Sequence, residues 1–222
     1  MKTLIINFKN YPEIQGNNSV RLATAAKAAA GNRVELVVAP PTPMLSLVSE
    51  KVTVSVFAQG VTEGEPGQST GAIIPESVKA SGAVGTILNH SEARVRLESL
   101  RSLVPRARAA GLKVCLCAAT PEEARRLAAL NPDYIAIEPP ELIGTGVAVS
   151  KARPEVVTQT VKQVLEAGFK KKILCGAGIL DGEDVARALK LGVDGILVSS
   201  TITKAKDWRA KVSELTRPLV AA

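Results

Sequence analysis

The sequence predicts an α/β protein, a closed parallel (βα)8 barrel spanning residues 1–222 as a single domain. Three observations carry this reading. Short apolar runs rich in β-branched residues alternate with helical stretches along the whole chain. The runs are continuously apolar, as strands covered on both faces should be. They number eight, and eight equal units favour closure over an open doubly wound sheet.

In order, the expected strands are Leu4–Phe8, Val34–Val38, Val54–Ala58, Val84–Leu88, Val114–Cys117, Tyr134–Ile137, Lys172–Cys175 and Gly195–Val198. Helix signals fall between them. Thr120-Pro121-Glu122-Glu123 offers an N-cap, a proline at the first helical position and a glutamate at the third. Asp181 opens another helix with an acidic cap. Gly31, Gly111 and Gly168 stand where helices should stop. Asn17–Ala30, Leu97–Ala110 and Pro154–Ala167 read as the longer helices. The stretch Gln59–Ile74 is a glycine-rich loop, and a long loop in a compact domain is usually functional or an interface element.

With 222 residues and 46 % apolar composition, the chain can bury a sizeable core. No apolar run approaches the roughly 18 residues of a membrane span. The N-terminus lacks the apolar stretch and cleavage site of a signal peptide, so the expected location is cytoplasmic. Cys115 and Cys117 are read on opposite faces of one strand, and Cys175 ends another. Three cysteines without a repeated C-x-x-C argue against a disulfide framework or a zinc site, so no metal is expected. The net charge of +7 is scattered apart from Lys170-Lys171-Lys172, which reads as a solvated face. Aromatics are 3 % of the chain, too few for the stacking platforms of single-stranded nucleic acid binding.

In parallel barrels the chemistry sits where strands end. The first run ends in Asn7-Phe8-Lys9, the fourth in Asn89-His90-Ser91-Glu92 and the sixth in Glu138-Pro139-Pro140. The seventh ends in Gly176-Ala177-Gly178 and the eighth in Ser199-Ser200. Each has a bland alternative: a solvated lysine, a structural histidine, a loop-capping glutamate, an ordinary glycine turn. In a barrel, however, all five segments surround one mouth. Small-residue turns after strands seven and eight form an anion nest from backbone N–H groups. A carboxylate can remove a proton beside a carbonyl, provided another group stabilises the oxygen charge that develops. Lys9 and His90 suit that task. Residues 139–146 resemble a lid, stiffened by two prolines at one end and freed by Gly144 and Gly146 at the other.

Taken together, Asn7-Phe8-Lys9, His90-Ser91-Glu92, Glu138-Pro139 leading to Ile143-Gly144-Thr145-Gly146, Gly176–Gly178 and Ser199-Ser200 closely resemble the triosephosphate isomerase family. The resemblance runs through the whole chain and implies the TIM-barrel fold. It implies interconversion of dihydroxyacetone phosphate and D-glyceraldehyde 3-phosphate without a cofactor. It assigns Glu138 as the proton-transferring base, His90 as the electrophile and Lys9 as the cation, with Asn7 orienting the substrate. Backbone N–H groups of Ile143, Gly178, Ser199 and Ser200 would hold the phosphate. That family is itself the type case of a neutral catalytic imidazole beside a helix N-terminus, which the resemblance carries over, with Ser91 opening the expected helix. Many members carry glycine in place of Asn89, serine in place of Gly178 and Gly-Gly in place of Ser199-Ser200. The short length resembles a compact, archaeal-like branch. The Gln59–Gly71 stretch matches the family's interlocking subunit loop, which implies a homodimer or homotetramer.

Two other classes compete. One is a different phosphate-binding barrel enzyme, such as a phosphosugar aldolase or an indole-glycerol-phosphate-synthase-like ring former. A Schiff-base aldolase would want a lysine on about the sixth strand, where this chain has Glu138. The other is a non-catalytic scaffold, against which the presence of Lys9, His90 and Glu138 argues.

Overall fold

The computed structural model describes residues 1–139 and 148–222. The strands β1 (Thr3–Asn7), β2 (Glu35–Ala39), β3 (Ser55–Ala58), β4 (Gly85–Leu88), β5 (Lys113–Ala118), β6 (Tyr134–Ile137), β7 (Lys172–Cys175) and β8 (Gly195–Val198) form one closed barrel. Every pairing is parallel, and β8 returns to β1 with Thr3 opposite Gly195 and Ile6 opposite Val198. The helices among the described residues are α1 (Asn17–Ala30), α2 (Leu45–Lys51), α3 (Pro75–Ala80), α4 (Leu97–Ala109), α5 (Pro121–Ala128), α6 (Val149–Ala152), α7 (Pro154–Glu166), α8 (Gly182–Lys190), α9 (Ser200–Thr203) and α10 (Trp208–Ala221). None of the described helices is long and apolar enough to cross a membrane.

The strands bury both faces, and side-chain alternation divides them into two cores. Ile5, Val37, Phe57, Ile87, Ala136, Leu174 and Leu197 fill the barrel interior. Their neighbours Leu4, Ile6, Val38, Val56, Leu88, Ile196 and Val198 join the larger layer beneath the helices. The expectation for the cysteines needs correction here. Residues two apart in a strand share a face, and both Cys115 and Cys117 belong to the barrel interior.

The helix ends follow local chemistry. The Thr120 hydroxyl accepts from Glu123 N at 3.2 Å, and Asp181 Oδ1 accepts from Asp184 N at 2.9 Å. Glu123 departs from the usual capping box, because its Oε2 takes the N–H of Ala119, one residue before the cap, at 2.7 Å.

The end of the barrel away from the strand C-termini is closed by a polar plug. Glu35 Oε2 accepts from Lys172 Nζ at 2.7 Å and from Thr3 Oγ1 at 2.8 Å, while Glu35 Oε1 accepts from Tyr134 Oη at 2.6 Å. The lysine run is therefore only partly a solvated face: Lys172 reaches into this plug and Lys171 pairs with Asp133 at 3.2 Å. Burial pushes the Glu35 carboxyl up, but the hydrogen bonds from Lys172, Tyr134 and Thr3 outweigh it and bring the pKa down to about 2. Burial and the hydrogen bond to Glu35 push the Tyr134 phenol well above its ordinary range.

A carboxylate with a lowered folded-state pKa adds stability above its unfolded value, and that stability is lost as pH falls toward the folded value. Glu35→Gln should therefore destabilise the barrel by about 2 kcal/mol at pH 7, after allowance for partial solvent screening. Denaturant melts should show this penalty shrinking between about pH 4.5 and pH 2. A penalty that stays constant over that window would refute the assignment.

Candidate active site

In β1, β6, β7 and β8 the inward alternation runs through the end of the strand or just past it. Asn7 follows Ile5, Glu138 follows Ala136, Gly176 follows Leu174 and Ser199 follows Leu197. Lys9, His90, Glu138, Gly178, Ser199 and Ser200 thus line one cavity of about 370 Å³ at the C-terminal mouth of the barrel. Asn7 lies in the adjoining hollow, which Lys9 and His90 also line.

Left-handed residues shape the turns that follow β1 and β4. Lys9 has φ of 50°, and its N–H donates to Asn7 Oδ1 at 3.0 Å. Gln59 Nε2 donates to the carbonyls of Lys9 at 2.9 Å and Ala39 at 3.0 Å, tying this turn to β2 and β3. Lys9 Nζ meets Glu92 Oε1 at 2.7 Å, so the lysine is already turned toward the His90 loop. Asn89 has φ of 61°, and the residue after it, His90, faces the cavity.

His90 is 5 % exposed, and its Nδ1 accepts the backbone N–H of Glu92 at 3.1 Å. An N–H aimed at Nδ1 requires a free lone pair there, which leaves a neutral ring with its proton on Nε2. The expected helix beginning at Ser91 is not formed. A single turn, closed by Ala93 N to His90 O at 2.8 Å, gives way to extended backbone, and α4 starts only at Leu97. The turn's own N–H, rather than a helix terminus, therefore sets the imidazole.

Glu138 directly follows β6 and is 4 % exposed. Its Oε2 has no hydrogen-bond partner among the described residues and lies 3.8 Å from His90 Nε2. Leaving a buried carboxylate oxygen unpaired is costly unless something uses it. Space for this side chain depends on Gly176, where a Cβ would fall 2.4 Å from Glu138 Cγ and 2.6 Å from Oε1. The thiols below do not compete with it. Cys117 is held well above its ordinary value by its hydrogen bond with Cys115, by burial and by the Glu138 charge, and Cys175 is pushed up to about 12 by burial, Glu138 and Asp184. Both therefore stay protonated at neutral pH and serve as packing.

Opposite this pair, Ala177 and Gly178 adopt successive left-handed conformations, φ 64° and 73°, which turn backbone toward the cavity. Ser199 stands at the N-cap of the short helix α9 without a side-chain capping bond, and the first N–H groups of that helix have no carbonyl one turn back. The buried Ser199 Oγ also has no partner among the described residues. Thr201 Oγ1 donates to Ile179 O at 2.6 Å and locks the two turns together.

The family profile described as "Triosephosphate isomerase" matches residues 2–215. The chain belongs to the triosephosphate isomerase family. It is 46 % identical over 218 residues to a triosephosphate isomerase of Caldivirga maquilingensis, covering 98 % of this chain and 97 % of the relative. It is 47 % identical over 220 residues to one of Pyrobaculum calidifontis, with 99 % and 96 % covered. With the enzyme of Methanocaldococcus jannaschii it shares 42 % over 213 residues, covering 96 % and 97 %.

The sequence-level set of this family is thus largely gathered at one mouth. Ile143 and the expected lid lie outside the described residues. Sequence reasoning passed over Gln59 as the clamp on Lys9, and it passed over Tyr11 and Lys204, which also line the cavity with Lys204 Nζ 4.5 Å over the Tyr11 ring. None of the three has a local signal, because the partners are far apart in sequence. In the sequence Gly176 is only part of a turn, whereas in the fold its missing side chain makes room for Glu138.

Gly176→Ala should keep the fold, and if Glu138 is the reacting carboxylate it should lower kcat by about tenfold to a hundredfold, the cost of displacing such a group by about 1 Å. Steady-state kinetics beside a circular dichroism melt check this. Unaltered kcat would mean that Glu138 is not constrained by this contact.

Proposed function

We infer that this chain interconverts dihydroxyacetone phosphate and D-glyceraldehyde 3-phosphate, with Glu138 as the base and His90 as the electrophile. Membership of the triosephosphate isomerase family supports the reaction. The observation that supports the assignment of roles is Glu138 Oε2, without a hydrogen-bond partner among the described residues, facing His90 Nε2 at 3.8 Å in a shared cavity.

In this reading the carboxylate takes a proton from the carbon beside the substrate carbonyl. His90 Nε2–H hydrogen-bonds the carbonyl oxygen and stabilises the enediolate that forms. His90 then moves the remaining hydroxyl proton between the two oxygens, giving its Nε2 proton to the former carbonyl oxygen and taking one from the neighbouring hydroxyl, and the acid form of Glu138 returns its proton to the neighbouring carbon. Atoms and electrons balance within the substrate, so the chemistry needs no cofactor. Lys9 leaves its pairing with Glu92 to place positive charge beside the substrate, and Asn7 holds the Lys9 turn through its side-chain oxygen. Backbone N–H groups at Gly178, Ser199 and Ser200 take the phosphate, with Ile143 joining from the segment 140–147. Glycine at position 178 leaves the backbone as the donor there. The Ser199 hydroxyl adds a donor that a glycine would lack.

Residues 1–222 act as one catalytic domain in the cytoplasm, and the active species is a homodimer or homotetramer. The largely exposed Gln59–Gly71 loop supports self-association because it is held in a fixed shape. Thr62 N donates to Ile73 O at 2.8 Å, and Arg106 binds Glu76 at 2.9 Å and the carbonyl of Gly64. Native mass spectrometry should read two or four subunits, and a monomer at working concentration would overturn this part.

Glu138→Gln should lose turnover by about 10²- to 10⁴-fold, the usual worth of a general base, while still binding phosphoglycolate. Near-normal isomerase activity in a coupled assay would sink Glu138 as the base. Lys9→Ala should raise KM and lower kcat, together costing about tenfold or more in kcat/KM, because its charge serves both ground and transition states. Unchanged kinetics would remove Lys9 from the site.

A further inference from the structure

We propose that Asn89 is a positioning residue for His90, acting through a side-chain clamp with Glu123 and Arg94. The proposal rests on the reading of His90 as the electrophile.

Asn89 is 2 % exposed and lies one residue before His90, in the left-handed conformation that re-aims the backbone into the cavity. Its side chain is paired at both ends. Nδ2 donates to Cys117 O at 2.9 Å, on the strand beside β4, and to Glu123 Oε1 at 3.0 Å, on α5. Oδ1 accepts the N–H of Val95 at 3.1 Å. That last bond closes the segment 89–95 into a loop, and inside this loop Glu92 N–H holds His90 Nδ1. Arg94 completes the clamp by donating to Asn89 O at 3.2 Å and to Glu123 Oε1. The other carboxylate oxygen of Glu123 is fixed by Ala119 N.

Glycine would satisfy the φ of 61° at less conformational strain, and asparagine is one of the few side chains that tolerate it. What asparagine adds is a buried amide that fastens the His90 loop to two neighbouring elements. The cradle formed by Gly178 and α9 shares none of these bonds. Loss of the clamp should therefore disturb the orientation of the imidazole and leave phosphate binding alone. An electrophile must be aimed at the place where charge develops, so misorientation lowers kcat rather than raising KM.

The test compares Asn89→Gly, Asn89→Asp, Glu123→Gln and His90→Gln in steady-state kinetics, with phosphoglycolate affinity and ¹⁵N spectra of the imidazole. Asn89→Gly should lower kcat about tenfold with KM and phosphoglycolate affinity within twofold, and should broaden or shift the imidazole resonances. Asn89→Asp, although closer in shape, should do worse than glycine, because it loses both Nδ2 donors and sets a carboxylate beside Glu123. Glu123→Gln gives a milder version of the same kcat loss and stands in if an Asn89 variant fails to fold. A fall in melting temperature with kcat within twofold of the parent in both Asn89→Gly and Glu123→Gln would overturn the clamp. If instead His90→Gln keeps full turnover, the reading of His90 itself fails, and the clamp falls with it.

Discussion

The site depends on one constraint, the hydrogen-bonded closure of eight short parallel strands. Once β8 pairs with β1, the strands share a direction and their C-terminal ends form one mouth. Side-chain alternation then decides what enters that mouth, since a residue two places beyond the last interior apolar residue points inward as well. Asn7, Glu138, Gly176 and Ser199 owe their positions to this rule. A slip of one residue in any strand would send its functional side chain beneath the helices.

Three non-glycine residues at this mouth, Lys9, Asn89 and Ala177, hold positive φ, and at Asn89 the left-handed turn brings His90, out of phase with the alternation, to the cavity. Lys9 and Asn89 hold conformations that cost free energy, and both are secured by side chains from other elements. Gln59 caps the carbonyl of Lys9, and Glu123 and Arg94 brace Asn89. The two strained turns also meet, through Lys9 Nζ and Glu92. In the proposed reaction, cation and imidazole are therefore organised before substrate arrives, which lowers the reorganisation the step requires.

The two ends of the barrel use charge in opposite ways. At the plug, Glu35 spends its hydrogen-bonding capacity on Lys172, Tyr134 and Thr3, and the carboxylate is held in its charged form. At the mouth, Glu138 is as buried as its neighbours but keeps one oxygen unpartnered among the described residues. The first arrangement favours stability. The second favours reactivity, because an unpaired oxygen is available to a proton.

Much of the barrel could be read from the sequence because strand runs, caps and turn glycines are local features. Three strands, β6, β7 and β8, fall where their apolar runs lie, and the others differ by one residue at one or both ends, where fraying and loop chemistry decide. Lys9, His90 and Glu138 were legible because each ends a run. The helix expected after His90 failed because a short N–H turn satisfied the same groups with fewer residues. The faces of Cys115 and Cys117 follow from period two, and their shared interior position was decided by that rule once the strand was fixed. What the sequence by itself determined was the order of elements and which chemical groups stand at strand ends. Only the tertiary structure decided that Gly176 makes room for Glu138, that Gln59 holds Lys9 and that Asn89 reaches β5 and α5. Those contacts join residues 28 to 50 positions apart, or side chains on adjacent strands, and no local pattern encodes a distance that exists only after closure.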